Sequence, residues 1–154
     1  GHLVLSTLHT NDAPGAVTRL YNLGIEPYLV GASLSGVLAQ RLVRKLCQAC
    51  KEPYEPSPNE KRQLERFSEG VETLYRPKGC DACGHTGFRG RLSVMELLPV
   101  DEEISNIILA RGEARAVQRS AVSHGMRTML ADGLLKSQKG LTTIEEVLRA
   151  TREV

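Results

Sequence analysis

The chain has 154 residues, enough to bury one moderate core or two small ones, and its 41% hydrophobic and 25% charged content is that of an ordinary globular protein. A formal charge of +2 and 4% aromatic content without tryptophan speak against a nucleic-acid binder that relies on bulk charge and base stacking, and against a polybasic membrane anchor. No apolar run approaches the ~20 residues a bilayer crossing needs and no charged, then apolar, leader opens the sequence, so a cytosol-like compartment is expected.

The chain begins with Gly and enters at once on an apolar run. Leu3, Val4 and Leu5 predict a short strand covered on both faces, as in a parallel sheet. Such a strand needs neighbours, and few further strand candidates follow, so the expectation is a piece of a longer polypeptide. Ser6, Thr7, His9, Thr10, Asn11 and Asp12 come next, where the strand would meet a helix. In open α/β sheets ligands bind at the carboxyl ends of strands, which makes His2 and His9 candidates for chemistry. The plainer reading is that both are structural, His9 bracing the loop.

Asn11 or Asp12 can cap a helix whose Val17, Leu20 and Tyr21 share a face and which Gly24 can end. Pro27 suits the first turn of a second helix, along which Val30, Leu34, Val37, Leu38 and Leu42 keep helical spacing. "RLVRKLC" at 41–47 reads as the last helical turn or as a strand leading into a cysteine pair. Composition then changes: Pro53, Pro56, Pro58 and Pro77 surround a charged segment, Asn59 to Phe67, that reads as a short helix. "RGRLSVMELLPV" at 89–100 predicts a strand ended by Pro99. Beyond it, Asp101 can cap a helix carrying Ile104, Ile107 and Ile108, and a second carries Val117 and Ala121 up to Gly125. Thr128 can begin a third that ends at Gly140, and Thr143 with Glu146 forms a capping-box pattern before a fourth. The four short helices predict a compact terminal bundle.

All four cysteines fall into two Cys-x-x-Cys pairs, Cys47 with Cys50 and Cys80 with Cys83. A two-residue spacer lets one tight turn present two thiolates, and two such turns complete the tetrahedral set that zinc prefers. Gly84 fits the left-handed backbone that often follows such a turn. Paired disulfides and redox use are the competing readings, and nothing in the sequence points to an oxidising compartment. His85 comes one residue too late for a haem-attachment motif, and the spacing differs from the usual iron–sulfur runs. Four protein ligands leave no open position for water, so the expected zinc is structural, folding a proline-rich insertion with few apolar residues of its own.

Three stretches stand together: "GHLVLSTLHTNDA" at 1–13, "VLAQRLVRKLCQACKEPYE" at 37–55 and "GCDACGHTGFRGRLSVMELLPVD" at 79–101. In this order and spacing they resemble the carboxyl-terminal part of the type II secretion traffic ATPases, the GspE or PulE family, whose relatives include the type IV pilus assembly ATPases. "HGMRTMLADGLLK" at 124–136 and "TTIEEVLRAT" at 142–151 extend the resemblance over essentially the whole chain. It implies an α/β fold: a partial RecA-like P-loop ATPase core with a tetracysteine zinc insertion and a C-terminal helical bundle. The implied divisions are 1–46 for the end of the core, 47–83 for the insertion, 84–100 for a returning strand and 101–154 for the bundle.

The resemblance places His2 and His9 in a histidine box near the nucleotide phosphates. ATP and magnesium then belong to the intact parent, because no G-x-x-x-x-G-K-[ST] loop occurs here and the chain alone is expected to be inactive as an ATPase. Arg41 and Arg44 read either as phosphate or subunit contacts or as a solvated charged face, and Arg89 and Arg91 are equally open. The implied partners are other copies of the chain in a hexameric ring and the cytoplasmic parts of inner-membrane secretion platform proteins. The implied location is cytoplasmic, at the inner face of the bacterial inner membrane, where hydrolysis drives pseudopilus assembly. A zinc-ribbon module for nucleic acid or protein is the alternative from another class; Arg44, Lys45, Lys51, Arg89 and Arg91 permit nucleic acid, whereas the low net charge and few aromatics argue against it.

Overall fold

The computed structural model describes residues 2–67 and 70–151. In chain order these form α1 (Ala13–Asn22), α2 (Pro27–Ser33), β1 (Gly36–Leu46), β2 (Glu52–Tyr54), α3 (Pro58–Glu65), β3 (Leu74–Arg76), β4 (Phe88–Pro99), α4 (Glu102–Leu109), α5 (Ala114–Ser123), α6 (Met129–Gln138) and α7 (Ile144–Thr151). The result is a mixture of helices and two small sheets, β1 with β4 and β2 with β3. The chain divides into two compact units: residues up to Ala39 with Glu96–Arg127, and Gln40–Met95 with the residues from Thr128 on.

In the first unit, the Asp12 carboxylate accepts the Gly15 N–H at 2.7 Å and starts α1, with Pro14 in its first turn. The helix stops at Leu23, and Gly24 follows at φ +81°. Asp101 caps α4 by accepting the Ile104 N–H at 2.8 Å. Val17, Val30, Leu98, Ile104, Ile108 and Val117 build the core, and the Tyr21 hydroxyl donates to the Ile108 carbonyl at 2.9 Å.

Two expectations fail in the chain's first third. Residues 2–10 adopt neither helix nor strand, and Leu3, Val4 and Leu5 are 83%, 78% and 88% exposed. A doubly covered strand requires flanking strands, and the four strands among the described residues pair only with one another. The second helix ends at Ser33, and 36–46 is a strand. Val37, Leu38 and Leu42 keep helical spacing, but in the strand Val37 and Leu38 point to opposite faces and Leu38 and Leu42 are exposed; pairing with β4 overrides the helical period.

In the second unit, β2 and β3 are antiparallel, Glu52 opposite Arg76 and Tyr54 opposite Leu74. Ser57 starts α3 with a complete capping box: its hydroxyl accepts the Glu60 N–H and the Glu60 carboxylate accepts the Ser57 N–H at 2.8 Å. Leu64 and Leu74 are fully buried against Leu134, Ile144 and Val147, so the proline-rich stretch does bring apolar anchors of its own and seats them on α6 and α7. The helices after residue 101 therefore do not make one bundle. In place of it, α4 and α5 pack in the first unit, and α6 and α7 in the second, because the buried faces of α4 and α5 match those of α1 and α2. Positions 152–154 of the expected bundle, and 68–69 of the insertion, lie outside the described residues. The capping box expected at α7 is half formed: Thr143 Oγ1 accepts the Glu146 N–H at 3.3 Å, while the Glu146 carboxylate turns elsewhere.

Candidate metal centre

β1 delivers Cys47 directly from its last residue, Leu46, and the Cys47 N–H donates to the Gly87 carbonyl at 2.9 Å. The Cys47 carbonyl accepts the Lys51 N–H at 3.0 Å, closing a tight turn that brings Cys50 alongside. The second pair repeats this: the Cys80 carbonyl accepts N–H groups from Cys83 at 3.1 Å and His85 at 2.9 Å. Gly84 has φ +59°, as its place after the pair predicts, and His85 follows it in the same left-handed region at φ +60°. At Gly87 space is decisive, since a Cβ there would lie 2.3 Å from the Cβ of Pro77.

The two turns bring all four sulfurs within 4.8 Å of one another. Cys47 and Cys80 Sγ are 4.0 Å apart, Cys50 and Cys83 3.9 Å, and Cys80 and Cys83 3.8 Å. A tetrahedron of sulfurs around a metal with bonds of about 2.3 Å has edges of about 3.8 Å, so the donor set fits. The cysteines are free, and the paired-disulfide reading does not hold for this arrangement. The Cys80 and Gly87 N–H groups each donate to Cys83 Sγ at 3.2 Å. Partial burial opposes ionisation of Cys83, but these donors overcome it and bring the thiol down to about 6. Partial burial pushes the Cys50 thiol up to about 11, and hydrogen bonding with the other three cysteines adds to the rise.

An ion pair braces the same unit. The Glu146 carboxylate is 3% exposed and accepts from the Arg44 guanidinium at 2.7 Å, the Arg44 N–H at 3.1 Å and the Arg149 guanidinium at 2.8 Å. Burial alone would raise its pKa; these donors outweigh burial and hold the carboxyl at about 2. The Arg44 guanidinium also lies 4.1 Å over the Phe88 ring. Arg44 is thus engaged inside its own unit, while Arg41 is exposed on β1. His2 and His9 are both exposed, in the irregular segment that precedes α1 in the other unit.

The family model described as "Type II/IV secretion system protein" matches residues 1–149. The chain belongs to this family. Within the type II/IV secretion family, it is 47% identical over 155 residues to the "Type II secretion system ATPase E" of Vibrio cholerae, with 99% of this chain and 30% of that protein covered. It is 48% identical to the "Type II secretion system protein E" of Pseudomonas aeruginosa over 99% of this chain and 30% of that one. With the "Type IV pilus assembly ATPase PilB" of Thermus thermophilus it shares 46% identity over 99% of its length and 17% of the relative's. The chain therefore spans less than a third of these relatives. No helix among the described residues is long and apolar enough to cross a membrane.

Sequence reasoning found the four sulfurs and missed the ion pair in the same unit. Glu146 was legible only as a capping residue, because nothing in a one-dimensional pattern joins it to Arg44, 102 positions away. Phe88 and Gly87 carried no separate signal beyond standing next to the predicted strand.

Proposed function

We propose that this chain is the carboxyl-terminal portion of a traffic ATPase that powers pseudopilus assembly for type II protein secretion. The observation that carries the reading is the match over residues 1–149, with relatives named as secretion and pilus ATPases aligned over 99% of the chain. In the parent, residues 1–46 close a RecA-like core, 84–100 return a strand to it and 101–154 follow as the carboxyl-terminal helices. His2 and His9 face the phosphates of a nucleotide whose P-loop and magnesium site lie elsewhere in the parent. An exposed imidazole just before the first turn of α1 can hydrogen-bond a phosphate or a carboxylate, which is compatible with that role for His9. Arg41 serves as a phosphate or subunit contact, and Arg44 reaches a phosphate only by leaving Glu146. The isolated chain is expected to show no ATP turnover.

Zinc is the metal the cysteine set suits best, held by Cys47, Cys50, Cys80 and Cys83. Bound there it supplies no reaction chemistry, since four thiolates fill its coordination shell. It fixes the two turns against each other and closes the base of the β2–α3–β3 insertion. The parent works as a hexameric ring of such subunits in the cytoplasm, docked on inner-membrane platform proteins. A type IV pilus assembly ATPase is the second reading, favoured by 46% identity to the Thermus protein, which the 47–48% to secretion ATPases does not separate from the first.

Two measurements test this. Metal analysis of the purified chain is expected to give about one zinc per chain; stoichiometric iron, or no metal, overturns the zinc assignment. In the full-length protein, His9→Ala is expected to lower ATP turnover with the fold intact, and normal turnover in a well-folded variant removes the histidine from the mechanism.

A further inference from the structure

Glu96 occupies a position on β4 that the strand's own pattern reserves for an apolar side chain. Val94, Glu96 and Leu98 alternate on the inward face and are all buried, Glu96 being 3% exposed. A carboxylate taken out of water at such a place is destabilising unless strong donors meet it. One that does is the Ala13 N–H, which donates to Glu96 Oε1 at 2.7 Å in a fully buried bond between residues 83 positions apart.

Ala13 is the first residue of α1, where N–H groups lack intrahelical acceptors and the helix dipole favours negative charge. Asp12 already caps this end from within by accepting from Gly15. Val17 in the core and the Tyr21 bond to Ile108 fix the body of the helix, while the Asp12 cap alone makes no bond from its first turn to another element. The bond to Glu96, in the part of β4 that belongs to the same unit, ties that first turn down. Just upstream, the Thr10 hydroxyl donates to the Asp12 carbonyl at 3.0 Å, so fixed points run from Thr10 to Gly15, with His9 at the edge of the fixed segment.

We propose that Glu96 is a positioning residue for His9: by anchoring the first turn of α1 to β4, it sets where the loop bearing His9 leaves the helix and hence how the imidazole meets the nucleotide phosphates. This rests on the reading of His9 as a phosphate-side group given above. A core glutamate kept for stability alone would be expected to give way to a leucine or valine without loss of turnover; a positioning glutamate is not replaceable in that way.

The test is a double-mutant cycle in the full-length ATPase, with kcat and KM for ATP and thermal melting as readouts. Glu96→Ala is expected to lower kcat by about 10- to 100-fold, the cost of a misplaced catalytic group, with KM for ATP changed far less. Glu96→Gln, whose amide oxygen can still accept the Ala13 N–H, is expected to recover most of that loss. The variant carrying both His9→Ala and Glu96→Ala is expected to turn over no more slowly than His9→Ala alone, because orientation is irrelevant once the ring is gone. Losses that multiply in the double variant, or normal kcat in Glu96→Ala beside an impaired His9→Ala, overturn the positioning role and leave the reading of His9 standing. Normal kcat in His9→Ala removes both. Should Glu96→Ala fail to fold, the same cycle run with Glu96→Asp, which withdraws the carboxylate by one methylene, gives the same decision.

Discussion

In the unit containing α1, α2, α4 and α5, burial is almost entirely apolar: Val17, Val30, Leu98, Ile104, Ile108 and Val117 meet in one core, and Glu96 is the charged exception. The other unit has a smaller apolar cluster around Leu64, Leu74, Leu134, Ile144 and Val147, and adds to it a sulfur tetrad and a carboxylate clasped by two arginines. The first arrangement answers mainly to the hydrophobic effect and carries no sulfur cluster among its described residues. The second adds a candidate metal site, whose thiolates a bound cation would hold together, and a glutamate whose bonds to two arginines require it to be ionised.

The sharpest way to break the comparison is to remove the metal. A strong chelator, or Cys80→Ser, is expected to forfeit metal-linked stabilisation on the order of 10 kcal/mol, and amide exchange should accelerate across 47–50 and 80–87 while amides of α1 and α5 remain protected. Equal acceleration in both units would show that the metal supports the whole chain. Next in size, Leu74→Ala should cost about 2–5 kcal/mol in denaturant unfolding of the metal-loaded protein, through the cavity left against Leu134 and Val147.

Acid should separate the units by a smaller amount. The Glu146 carboxyl is held at about 2 against an ordinary 4.5, a lowered value, so its contribution is complete above about pH 4.5 and drains away as pH falls toward 2. Glu146→Gln should flatten that part of the stability profile, with a loss at neutral pH of about 1–3 kcal/mol. An unchanged acid limb would mean that the arginine clasp contributes nothing. Least of all, Ser57→Ala, which breaks the capping box of α3, should cost about 1 kcal/mol, read as fraying of α3 by exchange at Glu60 and Lys61.

What could be read in advance was what is local. The Cys-x-x-Cys turns, the Asp12, Asp101 and Thr128 caps and the strand ending at Pro99 depend on a few neighbouring residues, and each stands where its pattern put it. The segment 34–42 misled because Leu34, Val37, Leu38 and Leu42 carry helical spacing, and pairing with β4 overrode it. Leu3–Leu5 misled for a related reason: composition can ask for a buried strand, but only neighbours supply the burial. The allotment of the last four helices to two units and the Arg44–Glu146 and Glu96–Ala13 bonds join distant positions, and no short pattern announces them.

The seating of Leu64 and Leu74 on α6 and α7 also sets an order in time. A ribosome finishes Leu74 roughly 70 residues before Val147, an interval of about 4–15 s at ordinary elongation rates. For a comparable interval after it leaves the ribosome, the insertion lacks the surface that covers its leucines, while Cys83 follows Leu74 within a second or two at those rates. Capture of the proposed zinc would therefore precede burial during synthesis. A cell short of the ion would expose this nascent loop to proteases and to aggregation before the chain was complete.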